Sequence, residues 1–353
     1  MSFIAEIIGW YENNKRDLPW RKTTDPYVIW LSEIILQQTR VDQGMPYFNR
    51  FAERFPTVAD FAEAQEDEIL KLWQGLGYYS RGRNMHKTAQ MVMEEYGGYF
   101  PKRYDELVKL KGIGEYTAAA ISSFSANEAK AVVDGNVFRV LARYFGIEEP
   151  INSSKAKKIF TDLANEVIDK MQPGLSNQAL MEFGSLQCRP KNPHCETCPL
   201  KLSCEALKKG LINQLPVKLK KLQVKNRYFN YLICTKGDKV LFNKRGPNDI
   251  WENLHEFPLI ETDTPVDSID LVNSEKFQSF FGKRSALTGQ YGPVRHLLSH
   301  QKLHVNYLFI EDFEEHFKDQ NNWFYADIGS IEQFAVSKII FSFLNKFPTL
   351  RRS

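Results

Sequence analysis

Up to about residue 205, apolar positions recur at three- and four-residue spacing. That period predicts amphipathic helices from Phe3 to Tyr11, Val28 to Gln38, Glu66 to Trp73, Thr88 to Tyr96, Ala118 to Phe124 and Val137 to Phe145. Pro26, Pro46, Pro56 and Pro101, with many glycines, punctuate them. From about Arg227 the pattern turns strand-like. Tyr228 to Thr235 and Val240 to Lys244 predict two strands joined by the turn Lys236-Gly237-Asp238-Lys239, Leu303 to Ile310 predicts a third, and Phe334 to Leu344 predicts a helix. The expectation is a multidomain chain: an all-α part over 1–207, a linker over 208–227 and an α+β part over 228–353.

Composition changes this picture little; the placement of charge changes it more. The 353 residues are 43% hydrophobic and 25% charged, which excludes a wholly disordered or fibrous chain. No apolar run approaches the ~20 residues of a membrane span. Helix-forming sequence begins almost at Met1 without a signal or transit peptide, which predicts a prokaryotic, cytoplasmic protein; nucleoid association and a monomeric state are separate expectations. The net charge is only +3, but residues 208–227 hold Lys208, Lys209, Lys218, Lys220, Lys221, Lys225 and Arg227 with no acidic residue. Such a strip fits either a phosphate backbone or a merely solvated linker.

Four of the five cysteines, Cys188, Cys195, Cys198 and Cys204, fall in one stretch with spacing C-x6-C-x2-C-x5-C. Thiols this close favour a metal group over disulfides. Single-zinc sites usually pair two C-x-x-C units, and only one is present here, so a [4Fe–4S] cluster held by loop 188–204 is favoured, with zinc second. Arg189, Lys191 and Lys201 would let that loop touch phosphates. Cys234 stands alone in a predicted strand and reads as a buried small hydrophobe.

Two carboxylates stand out. Glu33 is the only charged residue between Val28 and Gln38, so it is either a desolvated acid of raised pKa or part of a narrow polar stripe with Ser32 and Gln37. Asp134 precedes a predicted helix, where capping and catalysis are compatible roles. Leu110-Lys111-Gly112-Ile113-Gly114 joins two helical patterns and is either a phosphate-holding turn or a tightly packed corner.

Together these segments resemble the helix-hairpin-helix, iron–sulfur DNA glycosylase superfamily. Within it, Leu18-Pro19-Trp20-Arg21, Ser32-Glu33 with Leu36-Gln37-Gln38-Thr39, and Gly75-Leu76-Gly77-Tyr78-Tyr79-Ser80-Arg81 resemble the adenine DNA glycosylase (MutY-type) family. The resemblance implies double-stranded DNA as partner and adenine, mispaired with 8-oxoguanine or guanine, as the excised base. It implies Glu33 as the acid protonating adenine, Asp134 as stabiliser of the oxocarbenium-like sugar, and Tyr116 and Asn136 as supports. Tyr116 stands where relatives of the endonuclease III type carry a Schiff-base lysine, which implies a monofunctional glycosylase. Arg16, Trp20, Arg21 and Gln178 would line the adenine pocket. Gln38, Thr39, Leu76 and Tyr78 would probe the duplex beside the lesion, and Gly112 and Gly114 would hold a phosphate. Lys111 departs from the family, whose hairpin often has proline there.

The stretch from Tyr231 to Phe257, with Trp251, Leu254, Glu256 and Pro258, resembles the Nudix (MutT-like) fold. Residues 259–282 lack the Arg-Glu-x-x-Glu-Glu run that holds magnesium in Nudix hydrolases; Glu261 and Glu275 are isolated. That disfavours a nucleotide hydrolase, and retained Glu33 and Asp134 disfavour a silent damage sensor. The resemblance instead implies recognition of 8-oxoguanine by Leu298-Ser299-His300, with leucine replacing the family's aromatic residue.

Overall fold

The computed structural model describes residues 2–219, 224–317 and 322–350; Lys220 and Lys221 of the basic strip lie outside them. The chain forms two compact units, one from residues 1–63 and 84–221, the other from 64–83 and 222–353. No helix among the described residues is long and apolar enough to cross a membrane.

The first unit is helical. Pro26–Leu36 begins on an Asp25 cap with Pro26 in its first turn, and nine of its eleven residues are buried, Glu33 among them. Gly135–Phe145 starts on the Asp134 cap and stops at Gly146, whose φ of +68° suits a left-handed end. Its Val140 and Leu141 pack with Ile7, Phe160, Leu180 and Phe183 in a shared core. Pro173–Leu186 was not legible from apolar period because it buries Ser176, Asn177 and Gly184. Those polar groups are satisfied: Asn177 accepts from the Val132 amide at 3.0 Å and donates to the Lys130 carbonyl at 2.8 Å. Gly184 permits a close helix approach, since a Cβ there would sit 2.7 Å from Asn136 Cβ.

Among its described residues the second unit has seven strands: β1 (Lys225–Lys236), β2 (Lys239–Lys244), β3 (His255–Glu256), β4 (Leu259–Thr262), β5 (Ala286–Leu297), β6 (Gln301–Glu311) and β7 (Trp323–Asp327). The main path is β3-β2-β1-β6-β5, with β4 paired to β1 and β7 to β2. Strand β1 runs parallel to β6 and is buried on both faces. Phe229, Tyr231 and Ile233 meet a core completed by Ile339, Ile340 and Phe343 of helix Lys338–Lys346. Leu232 and Cys234 join the other core with Phe277 and Phe281 of helix Glu275–Phe281. Cys234 is fully buried, as its strand position predicts.

Four expectations need correction. The helix expected from Phe334 starts at Lys338, because Val336 is already bridged to His255 in extended form. Strand β1 begins inside the expected linker, and Arg227 is buried there, ion-paired to Asp249 and Glu261 at 2.7 Å. Lys208 and Lys209 pair with Glu205, so the basic strip is less free than its composition suggests. Helix Glu66–Leu72 and the turn after it belong to the sheet's unit: the Tyr79 hydroxyl donates to the Val336 carbonyl at 3.1 Å, and the Val336 amide donates to Gln74 at 3.3 Å.

Candidate active site

A cavity of about 770 Å³ in the first unit is lined by Arg16, Trp20, Arg21, Glu33, Gln38, Thr39, Tyr116, Asp134, Asn136 and Gln178. These residues come from five separate stretches of sequence, and the helices just described bring them to one place. Glu33 is 8% exposed and Ser32 fully buried, so the solvated polar-stripe alternative fails. Burial raises the Glu33 carboxyl to about 7; the nearby Asp134 adds to the rise, while the Tyr116 hydrogen bond and the Arg21 charge oppose it. The Tyr116 hydroxyl donates to Glu33 Oε2 at 2.8 Å.

Asp134 is held more rigidly. Its Oδ1 accepts from the Asn136 and Val137 amides at 2.9 and 2.8 Å, and Asn136 Nδ2 donates to Oδ2 at 2.6 Å. Burial still moves its pKa upward, against these three hydrogen bonds and the Arg139 charge. The cap geometry fixes the carboxylate against the helix N-terminus while leaving it on the cavity wall.

Arg16 and Arg21 both grip Glu182, which is 1% exposed, through bonds of 2.6 to 3.1 Å. Burial alone would raise Glu182, but the two guanidiniums carry it down to about 2. The arginines are thus an oriented wall rather than mobile cations. Gln178 accepts from the Tyr11 hydroxyl at 2.9 Å, and Trp20 meets Phe48 edge-on. Gln38 adopts φ +58°, a left-handed conformation uncommon outside glycine.

Glu182, Arg139 and Arg143 escaped the reading of the sequence. Arg139 donates to Asn136 Oδ1 at 2.8 Å, to the Gly184 carbonyl at 2.7 Å and to the Cys188 carbonyl at 2.7 Å. Arg143 reaches Cys188 Sγ at 3.5 Å and the Arg189 carbonyl at 2.7 Å. The available signal was two arginines four residues apart on a helix otherwise rich in apolar side chains.

Cys188, Cys195, Cys198 and Cys204 line one further pocket, with Arg143 on its wall. Burial pushes the Cys198 thiol up to about 11, and the other cysteines add to the rise. Such a pocket disfavours thiolates unless cationic charge fills it. Among the described residues, no three His, Cys, Asp or Glu side chains converge on a single metal-ion position.

Gly112 has φ +77°, and a Cβ there would lie 2.8 Å from Asn84 Cβ. Gly114 differs: its φ is −85°, open space surrounds its missing Cβ, and it caps helix Glu115–Ala126. We therefore expect Gly112→Ala to lower the unfolding free energy by roughly 1–3 kcal/mol, and Gly114→Ala to lower it by less, roughly 0.5–1 kcal/mol, through a poorer helix cap alone. Urea titration of the two variants checks this; equal midpoints would contradict it.

Neither Leu76 nor Tyr78 lines the cavity. They belong to the second unit, where the Tyr78 hydroxyl hydrogen-bonds Ser299 Oγ across 221 positions of sequence. Tyr78 has φ +48°, and its ring lies beside the Arg81 guanidinium. Ser299 and His300 form the exposed tip between β5 and β6. Leu298 instead packs on the core, and the exposed apolar side chain of that tip is Leu297, at 72%. Stacking by residue 298 is therefore not available in this arrangement.

Residues 31–166 match the family described as HhH-GPD superfamily base excision DNA repair protein, and residues 230–346 match the NUDIX domain. The helical part also resembles the structure of a thermostable thymine-DNA glycosylase, with 30% identity and a TM-score of 0.55 over 59% of this chain and 95% of that one. The adenine DNA glycosylase of Buchnera aphidicola subsp. Baizongia pistaciae is 35% identical over 87% of this chain and 86% of its own length. That of Rattus norvegicus is 40% identical over 61% of this chain and 44% of its own. The fold and site thus define a base excision DNA repair glycosylase of the helix-hairpin-helix class with a Nudix-like domain. The chain belongs to the adenine DNA glycosylase family.

Proposed function

We propose that this enzyme binds double-stranded DNA, flips out adenine mispaired with 8-oxoguanine or guanine, and hydrolyses its N-glycosidic bond without cutting the strand. The observation that carries the reading is the pairing, on one cavity, of Glu33 raised to about 7 with a separately anchored Asp134. Adenine leaves poorly as an anion. Glu33, protonated near neutrality, gives its proton to adenine N7 as the base departs with the bonding electron pair. The Asp134 carboxylate faces the positive charge that develops on the sugar, and Glu33, now ionised, accepts a proton from the attacking water. This is the two-carboxylate logic of O-glycoside hydrolysis applied to an N-glycoside.

Among the described residues no lysine lines the cavity, and Tyr116 cannot form an imine, which supports a monofunctional enzyme. Single-turnover adenine release from an 8-oxoguanine:A duplex tests the reading. No release, or efficient β-elimination by protein free of AP endonuclease, would overturn it.

Cys188, Cys195, Cys198 and Cys204 would hold a [4Fe–4S] cluster. The four thiols line one pocket, and their C-x6-C-x2-C-x5-C spacing holds only one close pair, which suits a cubane better than a zinc site built from two such pairs. When bound, the group would supply a four-point cross-link of loop 188–204.

Ser299 and His300 would read the base opposite adenine, and the Tyr78–Ser299 hydrogen bond supports placing Tyr78 in the same task. Replacing both Ser299 and His300 with alanine is expected to reduce the preference for 8-oxoguanine:A over G:A more than it slows excision at saturation. Equal loss on the two duplexes would count against a reading role.

A further inference from the structure

We propose that Arg83 and Glu252 are positioning residues for recognition of the base opposite the excised adenine. The inference rests on the reading of Tyr78 and Ser299 just given. Arg83, 12% exposed, donates from Nη1 to the Glu252 carbonyl at 2.8 Å and from Nη2 to Glu252 Oε2 at 3.1 Å. One guanidinium therefore fixes both the backbone and the side chain of a single residue.

Glu252 lies in a loop whose shape needs such a restraint. Asn248, Trp251 and Asn253 all adopt left-handed φ, at +69°, +62° and +64°. Each costs on the order of 1 kcal/mol, so the conformation persists only where surrounding groups hold it. From inside the loop, Arg245 donates from Nε to the Ile250 carbonyl at 2.9 Å. From outside, the contacts include Arg227 on Asp249 at 2.7 Å, Arg83 on Glu252, and Asn253 Nδ2 on Glu66 Oε1 at 2.5 Å.

Glu66 and Arg83 bracket the stretch that carries Leu76 and Tyr78. The loop thus ties that stretch near both ends to the sheet that carries Ser299 at the tip of β5 and β6. The Tyr78–Ser299 hydrogen bond joins the probing turn to the reading tip, so a restraint on the turn is also a restraint on the tip. Neither Arg83 nor Glu252 lines the catalytic cavity, so breaking their contact should act on discrimination and leave the chemical step intact.

The test uses the full chain: apparent affinity and single-turnover rate on 8-oxoguanine:A and G:A duplexes for wild type, Arg83→Met, Arg83→Lys and Glu252→Gln, with thermal midpoints for each. Loss of a charged hydrogen bond predicts a roughly 10-fold fall in the affinity ratio between the duplexes for Arg83→Met, at a saturating rate within about twofold of wild type. Arg83→Lys and Glu252→Gln, which keep part of the contact, should restore part of the ratio. An unchanged ratio in the folded variants, or an equal loss on both duplexes, overturns the inference while the function stands. Should Arg83→Met fail to fold, the two conservative variants decide the matter on the same ratio. A wild type that does not distinguish the duplexes at all overturns the underlying reading and this inference with it.

Discussion

Glu33→Gln lowers single-turnover adenine release by roughly 10²–10⁴-fold, the range for loss of a positioned general acid. Glutamine keeps the shape and can still accept the Tyr116 hydrogen bond, so the loss reports the proton and not the packing. The pH profile gives a second, independent reading. With a folded pKa of about 7, Glu33 is mainly protonated below that value, so the wild-type rate should fall as pH rises through 7. Tyr116→Phe sharpens the assignment. Its hydroxyl stabilises the ionised carboxylate, so removing it should move the falling limb to higher pH. A Glu33→Gln variant that releases adenine at the wild-type rate would remove Glu33 from the mechanism. A limb that Tyr116→Phe leaves in place would mean that another group titrates there.

The parts legible in the sequence are those in which one residue's local setting already states its problem. A lone carboxylate in the apolar run of Pro26–Leu36 had to be buried or exposed, and the fold resolves this as burial against Asp134. Asp134 before a helix is a cap by rule, and it is one. What the sequence hides is pairing at long range. Glu182 is an ordinary helical glutamate until Arg16 and Arg21, more than 160 positions away, close on it. Strand β5 carries Gly289, Gly292 and Pro293, which erase the alternation that would announce it, and its register to β6 shifts at those points. Arg227 looked like linker charge because its partners Asp249 and Glu261 are brought beside it only by the sheet. The grouping of 64–83 with the sheet follows from contacts such as Tyr79 with Val336, 257 positions apart, which no local pattern encodes.

Cys198→Ser is expected to give the other large effect, on the integrity of loop 188–204. The wild-type protein should be yellow-brown with broad visible absorption, and the variant should lose colour and iron together. Tying the ends of a loop of this length is worth on the order of 3 kcal/mol, so the untied loop should become sensitive to protease well below the temperature at which the helices unfold. The effect should not stop at the loop. The Cys188 carbonyl is one of the acceptors that orient Arg139, and Arg139 in turn donates to the Asn136 oxygen whose amide holds Asp134. A loosened Cys188 therefore frees the guanidinium on one side, so Cys198→Ser should also slow excision, and Arg139→Gln in otherwise intact protein should reproduce that slowing with colour and protease resistance retained. That pair of variants separates cross-linking from orientation of the carboxylate. Colourless wild-type protein loaded with zinc would reverse the choice of cluster, and an active, protease-resistant Cys198→Ser protein would show that the loop holds its shape without it.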